Sequence, residues 1–165
     1  SVALRDDGTV VTWGEQVRAQ RDDGPTSGRF VSIACGYGHS VALRDDGTVV
    51  TWGDHMRAQR DDAPTSGRFV SIACGEYHSV ALRDDGTVVT WGDHMRAQRD
   101  DAPTSGGFVA IACGDHHSVA LRDDGTVVTW GDHRRSQRDD APTSGGFVAI
   151  ACGDYHSLAL RDDGT

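Results

Sequence analysis

Phe69-Val70-Ser71-Ile72-Ala73-Cys74-Gly75-Glu76-Tyr77-His78-Ser79-Val80-Ala81-Leu82-Arg83-Asp84-Asp85-Gly86-Thr87-Val88-Val89-Thr90-Trp91-Gly92 reads as three strands and two turns. From Phe69 to Cys74 the side chains alternate, with Val70, Ile72 and Cys74 on one face and Phe69, Ser71 and Ala73 on the other. Two apolar faces predict a strand covered on both sides. After Gly75-Glu76-Tyr77, the runs His78 to Arg83 and Thr87 to Trp91 flank Asp84-Asp85-Gly86. Asp-Gly between β-rich runs predicts a hairpin with a tight primed turn, because such turns need positive φ values that Asn, Asp and Gly tolerate best. No segment keeps a 3.6-residue apolar period for three turns, so no helix is expected.

The unit recurs with a period of 39 residues: Ser1-Val2-Ala3-Leu4-Arg5-Asp6-Asp7-Gly8-Thr9 returns at Ser40, Ser79 and Ser118 and, shortened, at Ser157. The repeats are 1–39, 40–78, 79–117 and 118–156, with a partial fifth at 157–165, in one repeat domain. One such unit is too small to bury a core alone, so the copies must stack or close on one another. Gly8, Gly47, Gly86 and Gly125 mark the recurring hairpin turn. The remainder, Gly92 to Gly107, is polar loop with one short outer strand expected near Arg96 to Arg99, and Pro103 punctuates the return. Three to four antiparallel strands make a blade, and radial repetition of blades leaves only short, protected edges. The expected fold is therefore all-β, with β-propeller-type blades and about four repeats. Both ends fall inside a unit, which reads as a stretch of a larger propeller or array.

Apolar residues make up 37% and charged residues 25%, with 21 glycines, which fits a turn-rich globular protein and not a disordered one. A formal charge of −9 argues against direct nucleic-acid binding, which calls for a basic stripe that displaces counterions. No apolar run approaches the roughly 18 residues needed to span a bilayer, so no membrane insertion is expected. Cys35, Cys74, Cys113 and Cys152 fall one per copy at identical places, a poor disulfide framework, and read as small buried hydrophobes.

Cys74-Gly75-Glu76-Tyr77-His78-Ser79-Val80-Ala81-Leu82, then Asp85-Gly86-Thr87-Val88-Val89-Thr90-Trp91-Gly92, then Gln98 resembles the repeat of the regulator of chromosome condensation family. That repeat runs G-x-x-H-S-x-A-L, D-G-x-V, W-G and G-Q, and the likeness covers all four copies. The resemblance implies a β-propeller, commonly of seven blades, with glycines in tight turns and the His and Trp packed between blades. It departs at the residue before Gln, where Ala19, Ala58, Ala97 and Ser136 replace the family's Gly. The short unit is nearest the compact bacterial version, which includes a secreted β-lactamase inhibitor.

The copies differ mainly in two turns. One is Glu15-Gln16-Val17 against Asp54-His55-Met56, Asp93-His94-Met95 and Asp132-His133-Arg134; the other is Tyr37-Gly38 against Glu76-Tyr77, Asp115-His116 and Asp154-Tyr155. Drift confined to turns fits a scaffold with tolerant edges, and it is also where a binding face diversifies. A metal site is not expected, since only one Cys and one or two His occur per copy and paired ligand spacings such as C-x-x-C are absent. His39, His78, His117 and His156 read instead as interblade hydrogen-bonding residues. The Arg-Asp-Asp triplets read as hairpin turns, too short for a calcium loop. A catalytic constellation would be repeated in every copy, and no G-x-S-x-G elbow or phosphate-cradling Gly loop is present.

No cofactor and no enzymatic activity are expected. The leading reading is a non-catalytic scaffold that binds a protein partner or further copies of itself through a repeated loop face: Trp52, Asp54, His55, Met56 and Arg57; Trp91, Asp93, His94, Met95 and Arg96; Asp132, His133 and Arg134. The alternative, carried by resemblance, is a regulatory propeller, either an exchange factor for a small GTPase or an enzyme inhibitor. A third is a sugar-binding propeller, for which Tyr77 and Tyr155 qualify while Gly38 and His116 occupy the matching place.

Overall fold

A computed structural model describes residues 1–14, 24–53, 62–93, 101–132 and 141–165. Among them the chain is all-β. The strands are β1 (Val2–Leu4), β2 (Val10–Thr12), β3 (Phe30–Cys35), β4 (His39–Arg44), β5 (Val49–Gly53), β6 (Phe69–Cys74), β7 (His78–Arg83), β8 (Val88–Gly92), β9 (Phe108–Cys113), β10 (His117–Arg122), β11 (Val127–Gly131), β12 (Phe147–Cys152) and β13 (Ser157–Arg161). They group as antiparallel sheets β1-β2, β3-β4-β5, β6-β7-β8, β9-β10-β11 and β12-β13. Each three-stranded sheet is a blade that begins at a Phe and ends at a Trp-Gly. The outer strand expected near Arg96 to Arg99 lies outside the described residues.

Two local expectations are corrected. In β6 the register runs Phe69↔Arg83 and then Ser71↔Leu82, so Val70 is an extra residue in a β-bulge. The bulge breaks the alternation: Phe69 and Ile72 enter the same core, while Val70 is pushed out and left 53% exposed. Val31, Val109 and Val148 repeat this at 54%, 56% and 56% exposure. The hairpin also differs from a primed two-residue turn. Arg83 C=O accepts from Gly86 N at 3.1 Å while Arg83 N donates to Thr87 O at 2.8 Å, and Gly86 takes φ +80°. This is a three-residue loop closed by a left-handed Gly, which supplies the strand twist by a different route. Asp85 completes it by accepting from Thr87 N at 2.9 Å and Thr87 Oγ1 at 2.6 Å, and those bonds hold its carboxyl below the usual carboxylate range.

The core lies in the seams between blades. Val41 and Leu43 of β4 meet Phe69, Ile72, Ala81 and Trp91 of the next blade, and Val80 and Leu82 of β7 meet Phe108, Ala120 and Trp130. Strand alternation explains this division, since Val41 and Leu43 share one face of their sheet and Ala42 the other. Ala42 accordingly packs backward, with Phe30 and Trp52, against Val2, Leu4 and Val10. Backbone bonds tie each seam at the hairpin end: Phe69 N to Gly47 O at 2.8 Å, Phe108 N to Gly86 O at 2.9 Å and Phe147 N to Gly125 O at 3.0 Å. The first strands β3, β6, β9 and β12 lie side by side and form the inner wall of the arc.

Candidate functional site

At the opposite end of that wall each inner strand runs into a Gly-x-x-His turn, and the turns are linked across the seams by their backbones. Tyr37 N donates to Glu76 O at 3.1 Å, Glu76 N to Asp115 O at 3.0 Å and Asp115 N to Asp154 O at 3.2 Å. Gly is required at the start of the turn for lack of space. A Cβ on Gly75 would lie 2.1 Å from His78 Cε1 and 2.5 Å from Gly114 O of the next blade, and Gly36 and Gly114 are equally confined. One repeated backbone thus carries four side chains of three kinds in line, Tyr37, Glu76, Asp115 and Asp154.

These turns border a groove of 410 Å³ lined by Cys35-Gly36-Tyr37, Cys74-Gly75-Glu76, Cys113-Gly114-Asp115 and Cys152-Gly153-Asp154. Its rim is acidic and aromatic. Burial raises the Asp115 carboxyl above the usual carboxylate range, with the Asp154 and Glu76 carboxylates adding to the effect. His116 Nε2 lies 3.2 Å from Glu76 Oε2, and its ring stacks on Tyr77 with centroids 6.4 Å apart. Tyr77 meets Tyr37 edge-on at 5.9 Å. The row that a sugar-stacking face would need is broken by Gly38, and Tyr77 is half-buried between its neighbours.

The cysteines are not the fully buried hydrophobes expected. Cys35 is exposed, and Cys74, Cys113 and Cys152 are half-buried, because the inner strand presents its last residue to the groove. All four are free thiols. Withdrawal of the sulfur from water pushes the Cys74 thiol up to about 12, and burial raises Cys113 and Cys152 as well. Such thiols are protonated at neutral pH and poor nucleophiles. Among the described residues no group of three or more His, Cys, Asp or Glu is placed to hold a metal ion.

The expected loop face fares differently. Trp52 and Trp91 are only 1% exposed and belong to the seams, because the strand that ends in Trp-Gly turns its indole toward the preceding blade. They are core residues and not surface contacts. Asp93 and Asp132 are buried, with their amides donating to Tyr77 O and His116 O at 2.9 Å. Asp54, His55, Met56, Arg57, His94, Met95, Arg96, His133 and Arg134 lie outside the described residues. Gly8, Gly47, Gly86 and Gly125 occupy the left-handed turn position with φ between 78° and 85°. His39, His78 and His117 lie in the seams, with Nε2 at 2.8, 2.8 and 2.9 Å from Ser79, Ser118 and Ser157 Oγ of the following blade. His156 is exposed. The groove-end carboxylates were legible only as the second set of turn differences, Glu76, Asp115 and Asp154.

The repeat pattern described as the Regulator of chromosome condensation (RCC1) repeat matches residues 30–55, 69–94, 108–137 and 147–165. The chain belongs to the RCC1 repeat family. The match frame coincides with the blades, each starting at its Phe. Among solved structures, the ectodomain of the Physcomitrella patens receptor kinase CR4 superposes with a TM-score of 0.84 at 23% identity, over 99% of this chain and 47% of that one. The CRINKLY WD40 ectodomain of the Arabidopsis thaliana receptor kinase ACR4 gives 0.77 at 26% identity, over 93% and 53%. Prp20p from Saccharomyces cerevisiae, described with its binding properties to Gsp1p and histones, gives 0.75 at 21% identity, over 98% and 53%. The RCC1 repeat chain spans about half the length of these proteins and shares their β-propeller fold. No curated protein matches it in sequence.

Proposed function

We propose that this RCC1 repeat chain is a non-catalytic protein-interaction scaffold whose groove-end turns receive a basic segment of a partner protein. The observation that carries the reading is the row Tyr37, Glu76, Asp115 and Asp154, held on backbones bonded to one another across the seams. A rigid repeated backbone with unlike side chains offers preorganised, position-specific contacts at little ordering cost. Burial, with the neighbouring Glu76 and Asp154 carboxylates adding to it, raises the Asp115 carboxyl, and a cation set among the three carboxylates would relieve that repulsion. Prp20p's described binding to histones, which are basic proteins, is in keeping with this partner class.

The test is fluorescence anisotropy with a fluorescein-labelled Lys-Arg repeat peptide at low and physiological salt. Wild-type protein is expected to bind with a salt-dependent affinity, and the E76Q/D115N/D154N variant to bind at least about tenfold more weakly, a loss of about 1.4 kcal/mol. Equal binding by the two proteins, or no binding by either, overturns the reading.

A further inference from the structure

The seam histidines have a geometry that suits only the neutral ring. His78 is fully buried, its Nε2 engages Ser118 Oγ of the next blade at 2.8 Å, and its Nδ1 is enclosed with no hydrogen-bond partner. His117 repeats the arrangement on Ser157 at 2.9 Å, again with an unpartnered Nδ1. Each ring is wedged against a glycine, Gly75 or Gly114, at distances where not even a methyl group fits. An imidazolium must donate from both nitrogens, and here one N–H would be buried without an acceptor. The serine hydroxyls lead on only to thiols, Ser79 to Cys74 at 3.6 Å and Ser118 to Cys113 at 3.7 Å.

We propose that the buried histidine row is an acid-sensitive lock on the seams: neutral His78 and His117 bridge adjacent blades, and their protonation parts the blades and uncovers the Trp-lined faces. The surrounding charges favour this direction. Among the described residues, His78 faces His39 from the preceding blade and His116 and His117 from the following one, with the Asp93 carboxylate opposing them. His117 faces His156 and His116, against Asp132. Burial, reinforced by these neighbours, lowers His78 to about 3 and lowers His117 as well.

The sign follows directly. In the unfolded chain imidazole takes up a proton near pH 6.5, while the folded seam does not. The stabilisation is therefore complete above that pH and is lost as the pH falls, with the folding constant dropping up to about tenfold per pH unit for each locked histidine. The hairpin carboxylates Asp46, Asp85 and Asp124, held below their usual range by Thr bonds, contribute the same sign only at lower pH. Asp115, raised, acts in the opposite sense.

The experiment is urea unfolding of residues 1–165 between pH 7.5 and 4.5, followed by tryptophan fluorescence, for wild type and for the single variants H78Q and H117Q. Glutamine reaches the serine hydroxyl and does not titrate. The expected result is a wild-type folding constant that falls steeply below pH 6.5, with the slope reduced by about one proton in each variant. An unchanged slope in H78Q overturns the proposal. Where H78Q does not fold, deuterium exchange at the His78 Cε1–H of wild type decides: a midpoint below pH 5 supports the lock, and one at or above pH 5 overturns it.

Discussion

Replacing Gly75 by Ala tests whether the seam is as tightly specified as its geometry says. The φ of Gly75 is not in the left-handed region, so alanine is conformationally acceptable and the whole cost comes from contact. The added Cβ would sit 2.1 Å from His78 Cε1 and 2.5 Å from Gly114 O. Neither neighbour can yield easily: the ring is sealed in the seam on Ser118, and the carbonyl is backbone of the next blade. Overpacking of this kind costs about 1 to 3 kcal/mol. Displacing the ring also loses the His78 to Ser118 bond, worth about 1 kcal/mol. Gly153 is the internal control, because there the Cβ meets only the His156 ring, at 2.4 Å, and that ring is exposed and free to swing away. Gly153→Ala is expected to be neutral or to gain about 0.4 to 1 kcal/mol through the unfolded chain. Urea unfolding by far-UV dichroism, with slopes m of about 1 to 3 kcal/mol/M, should show the Gly75→Ala midpoint lowered by about 1 M or more and Gly153→Ala unmoved. Equal midpoints for the two variants would refute the argument that the seam, and not the local turn, requires glycine.

Trp91→Ala, which empties a fully buried seam position, is expected to cost about 3 to 5 kcal/mol in the same assay. Trp13→Ala, at the equivalent place but 52% exposed, should cost a small fraction of that. Gly86→Ala forces an L-residue to φ +80° with Gly107 N only 3.1 Å from the new Cβ, and is expected to lower stability by about 1 to 2 kcal/mol. Timed alkylation with iodoacetamide at pH 8, read by intact mass, should show one thiol, Cys35, modified well before the other three, because burial raises the Cys74, Cys113 and Cys152 thiols and leaves little thiolate.

The period and the turn chemistry made the blade legible in the sequence. His-Ser-x-Ala-Leu, Asp-Gly and Trp-Gly each imply a local structure, and their fixed order admits one antiparallel meander. What escaped was whatever depends on register. Val70 alternates correctly with Ile72 on paper, yet the bulge puts it in solvent and moves Phe69 into the core, and nothing in Phe-Val-Ser-Ile-Ala-Cys announces a shifted pairing. Trp91 posed the opposite problem. Its neighbours in sequence are polar loop residues, which drew it toward the surface in a linear reading, whereas pairing with Ser79 aims it into the seam. The groove itself is built from residues 39 positions apart, so Glu76, Asp115 and Asp154 become one feature only when the blades are stacked.

The two proposals are coupled through the same backbone. Glu76 and Asp115, which would hold a basic segment, are bonded to each other across the seam that His78 bridges. A ligand that spans both turns can do so only while the seam is closed, so it must favour the closed state by its differential affinity. Linkage then requires the reverse: protonation that opens the seam must weaken the ligand by the same factor. A Lys-Arg repeat peptide present at about 100 times its dissociation constant should raise closed-state stability by about 2.7 kcal/mol at neutral pH. At one proton per pH unit, this should move the acid midpoint down by about two pH units if one histidine titrates in the transition, and by about half that if both His78 and His117 do. The size of that displacement counts the histidines in the lock. A midpoint that does not move while the peptide still binds would place the binding surface on a single blade and separate it from the seam.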